Sequence, residues 1–179
     1  RDWSSDVCSS DLDRESEART PSRPLFALPQ EARDPFSAIA PLPAIHAHEC
    51  DLSRITPGRP QASGQVIVVR GKVVDEQLKP LRRGLLEVWN ANTYGRYAHV
   101  RDAGNPAPLD PYFYGFGRTT TDDDGVFELR TIKPGAYIAR PDIGWWRPPH
   151  IHFSVLGGGL RLVTQMYFPN EPLNRKDYI

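Results

Sequence analysis

Between residues 65 and 168 the apolar positions fall in short runs rich in β-branched and aromatic residues, separated by turn-forming clusters, with no sustained helical period. Residues 66–74 (VIVVRGKVV) and 85–89 (LLEVW) each predict a strand, and residues 75–84 between them supply turn residues and Pro80. The turn signal Thr119-Thr-Thr-Asp-Asp-Asp-Gly125 precedes a strand over 126–130, and Lys133-Pro-Gly135 precedes another over 136–140. Two further runs, 151–156 and 160–168, flank Gly157-Gly158-Gly159 and read as a hairpin with a flexible tip. Closely spaced strands of this kind predict an all-β fold, an antiparallel β-sandwich. Residues 90–117 form a long connection that carries four tyrosines (Tyr94, Tyr97, Tyr112 and Tyr114), and connections of that length in compact domains are usually functional.

Upstream of this body the pattern changes. Residues 13–63 are rich in Pro, Ala, Arg and Ser without periodicity, and read as an extended N-terminal arm that packs on a body. Residues 1–12 (RDWSSDVCSSDL) resemble the conceptual translation of a sequencing-library adaptor and are set aside, with Trp3 and Cys8. The catalytic body is expected over 64–179, truncated at its C-terminal end.

Lysine plus arginine equals aspartate plus glutamate, 22 each, so no excess of basic charge points to nucleic acid or an anionic membrane. No run approaches the roughly 20 apolar residues of a membrane helix, and the N-terminus lacks signal-peptide character; a cytoplasmic location is expected. Cys8 and Cys50 lie far apart and outside any CxxC pattern, which argues against a disulfide framework or a zinc–thiolate site.

The chemistry concentrates near residue 150. In His150-Ile-His152 both imidazoles face one side of a strand while Ile151 faces the other, so the pair can reach one metal ion. Alone, such a pair is as readily satisfied by backbone or solvent. Before it runs Trp145-Trp-Arg-Pro-Pro-His150, in which two prolines stiffen the chain and bring Arg147 close. His46-Ala-His-Glu-Cys50 mixes ligand types but sits in the arm without strand periodicity, and reads as no site. His99 reads as a loop histidine, solvated or beside Tyr97.

Four motifs then stand in order: Gly95-Arg-Tyr97, Pro134-Gly-Ala-Tyr137, Trp146-Arg-Pro-Pro-His-Ile-His152 and Val163-Thr-Gln-Met-Tyr-Phe168. In these, and over residues 52–173 generally, the chain resembles the intradiol ring-cleaving dioxygenases, above all the beta subunits of the protocatechuate 3,4-dioxygenase type. The resemblance implies a transthyretin-like (prealbumin-like) sandwich holding one non-haem Fe(III) on Tyr97, Tyr137, His150 and His152. Phenolate is a hard anionic donor that favours Fe(III) over Fe(II). By the same resemblance a catecholic substrate is cleaved by O2 between its hydroxylated carbons, with Tyr137 leaving the metal to accept a substrate proton. Arg147 would stabilise negative charge on the substrate ring, and Gln165 would lie beside the site. The expected reaction converts protocatechuate to 3-carboxy-cis,cis-muconate, with a related alpha subunit as partner.

Other readings remain open at this point. A T-D-x-x-G turn followed by P-G-x-Y also occurs in transthyretin-like binding modules that hold no metal, where Tyr137 would be a core tyrosine. Tyr94, three residues before Tyr97, could equally be a ligand on spacing alone. Catechol or hydroxyquinol could replace protocatechuate, since many relatives carry tryptophan where this chain has Ala139. The residue that would bind a substrate carboxylate is not assignable from the sequence.

Overall fold

The structure, a computed structural model, describes residues 45–179. The adaptor-like segment, Cys8 and the arm as far as residue 44 lie outside the described residues. Eight strands follow in order: β1 (Val66–Lys72), β2 (Leu85–Trp89), β3 (Phe116–Thr120), β4 (Val126–Ile132), β5 (Tyr137–Arg140), β6 (Trp145–Arg147), β7 (His150–Gly157) and β8 (Leu160–Tyr167). Every strand ladder is antiparallel. β1 pairs with β4, the order β3-β2-β7-β8 makes a four-stranded sheet, and β5 pairs with β6 in a short ribbon. Among the described residues no helix is long and apolar enough to cross a membrane.

Period-two alternation builds the sandwich. Val69 and Leu129 of the β1–β4 pair meet Leu86, Val88, Ile151 and Phe153 of the larger sheet in a single buried cluster, with Ile67, Phe127, Val155 and Met166 packed around it. Both inner faces are thus covered. Burial of each such side chain contributes roughly 1.5–3 kcal/mol, which makes this cluster the main support of the fold. The all-β antiparallel sandwich expected from the sequence is what forms. The β7–β8 turn places Gly158 and Gly159 at φ +58° and +78°, the two positive values a two-residue type I′ hairpin needs.

Two strands lie where no strand was expected. β3 occupies the end of the long tyrosine-bearing connection, and its ladder to β2 runs from Leu85–Thr120 to Trp89–Phe116. Gly117 interrupts its apolar pattern, because the carbonyl of Glu49 and the side chain of Leu52 press where a Cβ would be. β6 holds only three residues ahead of two prolines, and exists through its register with β5, which sets Tyr137 opposite Arg147. The segment before β1 packs on this body: Leu52 and Ala62 join Phe113 and Ile132 in a second buried cluster, and Asp51 bridges Arg130 of β4.

Candidate metal centre

Strand register assembles half of the site. β7 lies between β2 and β8, so Trp89, His152 and Gln165 form one rung across three strands, and His150 pairs with Tyr167 on a neighbouring rung. Ile151 and Phe153 face the core between them, so His150 and His152 share the opposite side. Trp89 stacks flat on His152, with ring centroids 5.0 Å apart and planes 3° from parallel.

A loop and the ribbon bring the rest. Asn92, almost wholly buried, accepts the amides of Tyr94 and Arg96 on its side-chain oxygen and donates to the carbonyl of Pro108. Its own carbonyl accepts from Gly95 and Gly135. Gly95 stands at φ +78° with the carbonyl of Ala136 where a Cβ would sit, and Gly135 is packed as closely against the carbonyl of Thr93. The two glycines therefore interlock, and the Gly95-Arg-Tyr97 loop meets the Gly135-Ala-Tyr137 segment backbone to backbone. Asp102 then accepts the Tyr97 amide at 2.7 Å. Tyr94 points outward, half exposed, whereas the Tyr97 hydroxyl reaches the histidines.

The result is a convergence of donor atoms. Tyr97 Oη lies 3.4 Å from His150 Nε2 and 3.2 Å from His152 Nε2, and the two Nε2 atoms are 3.2 Å apart. Three atoms so spaced are equidistant from a point about 1.9 Å away, close to the roughly 2.0–2.2 Å of metal bonds to imidazole nitrogen and oxygen. Tyr137 meets Tyr97 edge-on at 5.5 Å and lies 5.7 Å from His150, centroid to centroid. His150 Nδ1 sits 2.7 Å from the carbonyl of Pro148, which can only accept, so the neutral ring keeps its lone pair on Nε2. Burial, with Arg147 nearby, lowers His150 to about 4. Burial, with His150 and Arg147, lowers His152 to about 3. Both imidazoles are neutral at pH 7. Burial raises Tyr97 well above its ordinary value, with Tyr137 adding to it, and also raises Tyr137, against the pull of Arg147. Two lone-pair nitrogens and two buried phenols suit a hard, highly charged cation that stabilises phenolate; an acidic or thiolate set would suit other metals. Among the described residues no group of three His, Cys, Asp or Glu side chains is placed to do the same.

Arg147 is buried beside this cluster and each of its guanidinium nitrogens is engaged. Nη1 lies 3.2 Å from His150 Nε2; Nη2 donates to Gln165 Oε1 (2.6 Å) and to Tyr167 Oη (2.7 Å); Nε faces Asp177, whose Oδ2 lies 3.1 Å from Nη2. Asp177 and Tyr167 are additions to the site foreseen from sequence. Tyr167 could have been found, because it lies two residues beyond Gln165 on the same strand face; Asp177, 30 residues from Arg147, gives no local signal.

The remaining candidates fall elsewhere. His46 and His48 stack on one another at 5.6 Å, and Glu49 pairs with Arg118 at 2.7 Å. A surface groove is lined by His48, Asp51, Arg54, Thr56, Pro57 and Gly58, none of which belongs to the donor cluster. His99 is exposed and caps the turn Val100–Asp102 through the Arg101 amide.

An antiparallel sandwich with two imidazoles on an inner strand, and two phenols brought to them by a loop and a short ribbon, defines a β-sandwich protein with a tyrosine–histidine donor cluster. The family comparison places it further: residues 42–179 match the family model described as "Dioxygenase", and the chain belongs to that family. It is 44% identical to the protocatechuate 3,4-dioxygenase beta chain of Burkholderia cepacia, over all of this chain and 77% of that one. It is 38% identical to the protocatechuate 3,4-dioxygenase alpha chain of Pseudomonas putida over 63% of this chain. Among solved structures, 3-chlorocatechol 1,2-dioxygenase from Rhodococcus opacus superposes with a TM-score of 0.58 at 33% identity, over 72% of this chain. This chain spans about half the length of the last two, 54% and 52%.

Proposed function

We propose that this chain is the iron-bearing subunit of an intradiol dioxygenase that opens protocatechuate with O2 to 3-carboxy-cis,cis-muconate. The observation that carries the proposal is the triangle of Tyr97 Oη, His150 Nε2 and His152 Nε2, closed by the phenol of Tyr137. Tyr97, Tyr137, His150 and His152 would hold the iron. Once bound, Fe(III) supplies the Lewis acidity that favours the phenolate and catecholate forms of its oxygen ligands.

The protein's own residues do the rest. Burial makes Tyr137 Oη a strong base once ionised, suited to take a proton from the incoming diol. Arg147 Nη1 is aimed at the cluster, where a donor favours negative charge developing on the ring. Gln165 holds Arg147 Nη2, and Trp89 covers one face of His152 against water.

Similarity to a beta chain and to an alpha chain of the same kind of enzyme supports pairing with a related alpha subunit. A second diol reading, catechol or hydroxyquinol, draws on the likeness to 3-chlorocatechol 1,2-dioxygenase and on Ala139 within the ribbon that carries Tyr137. The experiment is iron analysis together with dioxygen uptake on each diol, with and without a co-expressed alpha subunit. One iron per chain, a red-brown phenolate band and fastest uptake with protocatechuate are expected. A folded chain that binds no iron would instead leave a metal-free binding module.

A further inference from the structure

Asp177 has four donors and almost no solvent. Its side chain is 2% exposed and that of Arg147 6%. It faces Trp145 Nε1 at 3.1 Å, Arg147 Nε at 3.3–3.4 Å, Arg147 Nη2 at 3.1 Å and Tyr167 Oη at 3.0 Å. A guanidinium this buried requires a compensating charge, and Asp177 is the carboxylate in contact with it. The anchorage is also directional. Nε and Nη2 are held by Asp177, Gln165 and Tyr167, so rotation about the last side-chain bonds is blocked. Nη1 faces the donor cluster and meets His150 Nε2, the lone pair that a metal would take, and the guanidinium also hydrogen-bonds the Tyr137 side chain.

We infer that Asp177, assisted by Tyr167, is the positioning residue that turns Arg147 so that Nη1 is delivered to the reaction space as a free donor. This rests on the proposed dioxygenase activity for its consequence in turnover, but not for the geometry itself. Asp177 touches no donor atom of the cluster in the contacts above; it acts through Arg147. The Asn174 side chain, donating to the carbonyl of Phe168 at 2.8 Å, folds the turn Pro172–Lys176 back so that Asp177 can reach β6 and β8.

The test has two arms. In iron-free protein, proton exchange at Arg147 Nε–H, followed by nitrogen-15 NMR, is expected to quicken by about tenfold or more in Asp177→Asn; unchanged exchange overturns the inference. In iron-loaded protein, Asp177→Asn is expected to keep its iron and visible band while kcat falls by about 10–100-fold, the range for residues that orient a site, and KM moves less than about twofold. Wild-type kcat, or loss of iron from a folded variant, overturns it as well. Should Asp177→Asn fail to fold, Tyr167→Phe carries both measurements, with smaller changes in the same direction expected and none overturning the inference. If the wild-type protein consumes no dioxygen with any diol, the activity proposal fails, while the exchange arm still decides the positioning role.

Discussion

Trp89, His150, His152, Gln165 and Tyr167 stand on three neighbouring strands of one sheet, whereas Tyr97 and Tyr137 are delivered by a loop and a two-stranded ribbon. The sheet-borne residues need only correct register: a one-residue slip would turn both histidines into the core, which Ile151 and Phe153 forbid by being there already. Tyr97 has no ladder to fix it, and Tyr137 has only the short, irregular ladder of β5 with β6. Their placement depends on local contacts, the interlock of Gly95 with Gly135 and the Asn92 side chain that organises the turn between them. The sheet half is therefore robust to local substitution away from its core, and the loop half is sensitive to a single methyl group.

The largest loss is expected from Gly95→Ala. The added Cβ meets the Ala136 carbonyl, and the positive φ alone costs about 1–3 kcal/mol. We expect a total loss above about 3 kcal/mol in urea unfolding, with Tyr97 displaced and the phenolate band of iron-loaded protein bleached. A wild-type midpoint and colour would show that the two glycines do not set the loop. Next in size is His152→Ala. Partners that merely orient a metal ligand are worth about 10–100-fold in affinity, so removing a proposed ligand should weaken iron binding by more than about 100-fold. Here the fold should survive, because Trp89 loses only a stacking partner while the core face of β7 is untouched. Iron titration beside circular dichroism separates the two effects.

The same division explains what could be read from the chain. Alternating runs gave the strands that make the core, and the spacing of His150 and His152 gave their shared face. Tyr97 could not be chosen over Tyr94 from spacing, because the choice depends on how Asn92 and Gly95 turn the loop, and only resemblance to a family favoured it. The three-residue strand β6 has too little sequence to show a period, and exists through pairing with β5. Asp177 was invisible for a related reason: its role lies in a contact 30 residues away in sequence.

The two histidines on the sheet also make stability depend on pH. His150 and His152 are lowered from 6.5 to about 4 and about 3, chiefly by burial. Below pH 6.5 the unfolded chain binds protons that the folded chain refuses, so the iron-free fold loses stability as pH falls from about 6.5 towards about 4. The slope approaches about 1.4 kcal/mol per pH unit for each imidazole. Above pH 7 these two groups should contribute no slope. Urea midpoints of iron-free protein between pH 4.5 and 8 measure it, and a flat profile over the lower half would mean that the rings are hydrated rather than buried.

The smallest expected effect lies where the two halves meet at the surface. Lys133 opens the turn that leads to Tyr137, and Glu171 stands at the head of the turn that leads to Asp177; their side chains pair at 2.8 Å. Both are partly exposed, 35% and 22%, so the pair is of the class worth about 0–1 kcal/mol. Lys133 keeps other support after the pair is removed, since its ammonium lies 5.3 Å from the Phe168 ring centroid and its amide donates to the carbonyl of Gln65. Glu171→Gln should therefore lower stability by less than about 1 kcal/mol. The difference from wild type should shrink in about 1 M salt, where the screening length falls to about 3 Å. Iron content and colour should not change, because neither half of the donor cluster depends on this contact for its backbone. A loss of several kcal/mol, or a bleached band, would mean that the loop half is held from outside rather than by its own glycines.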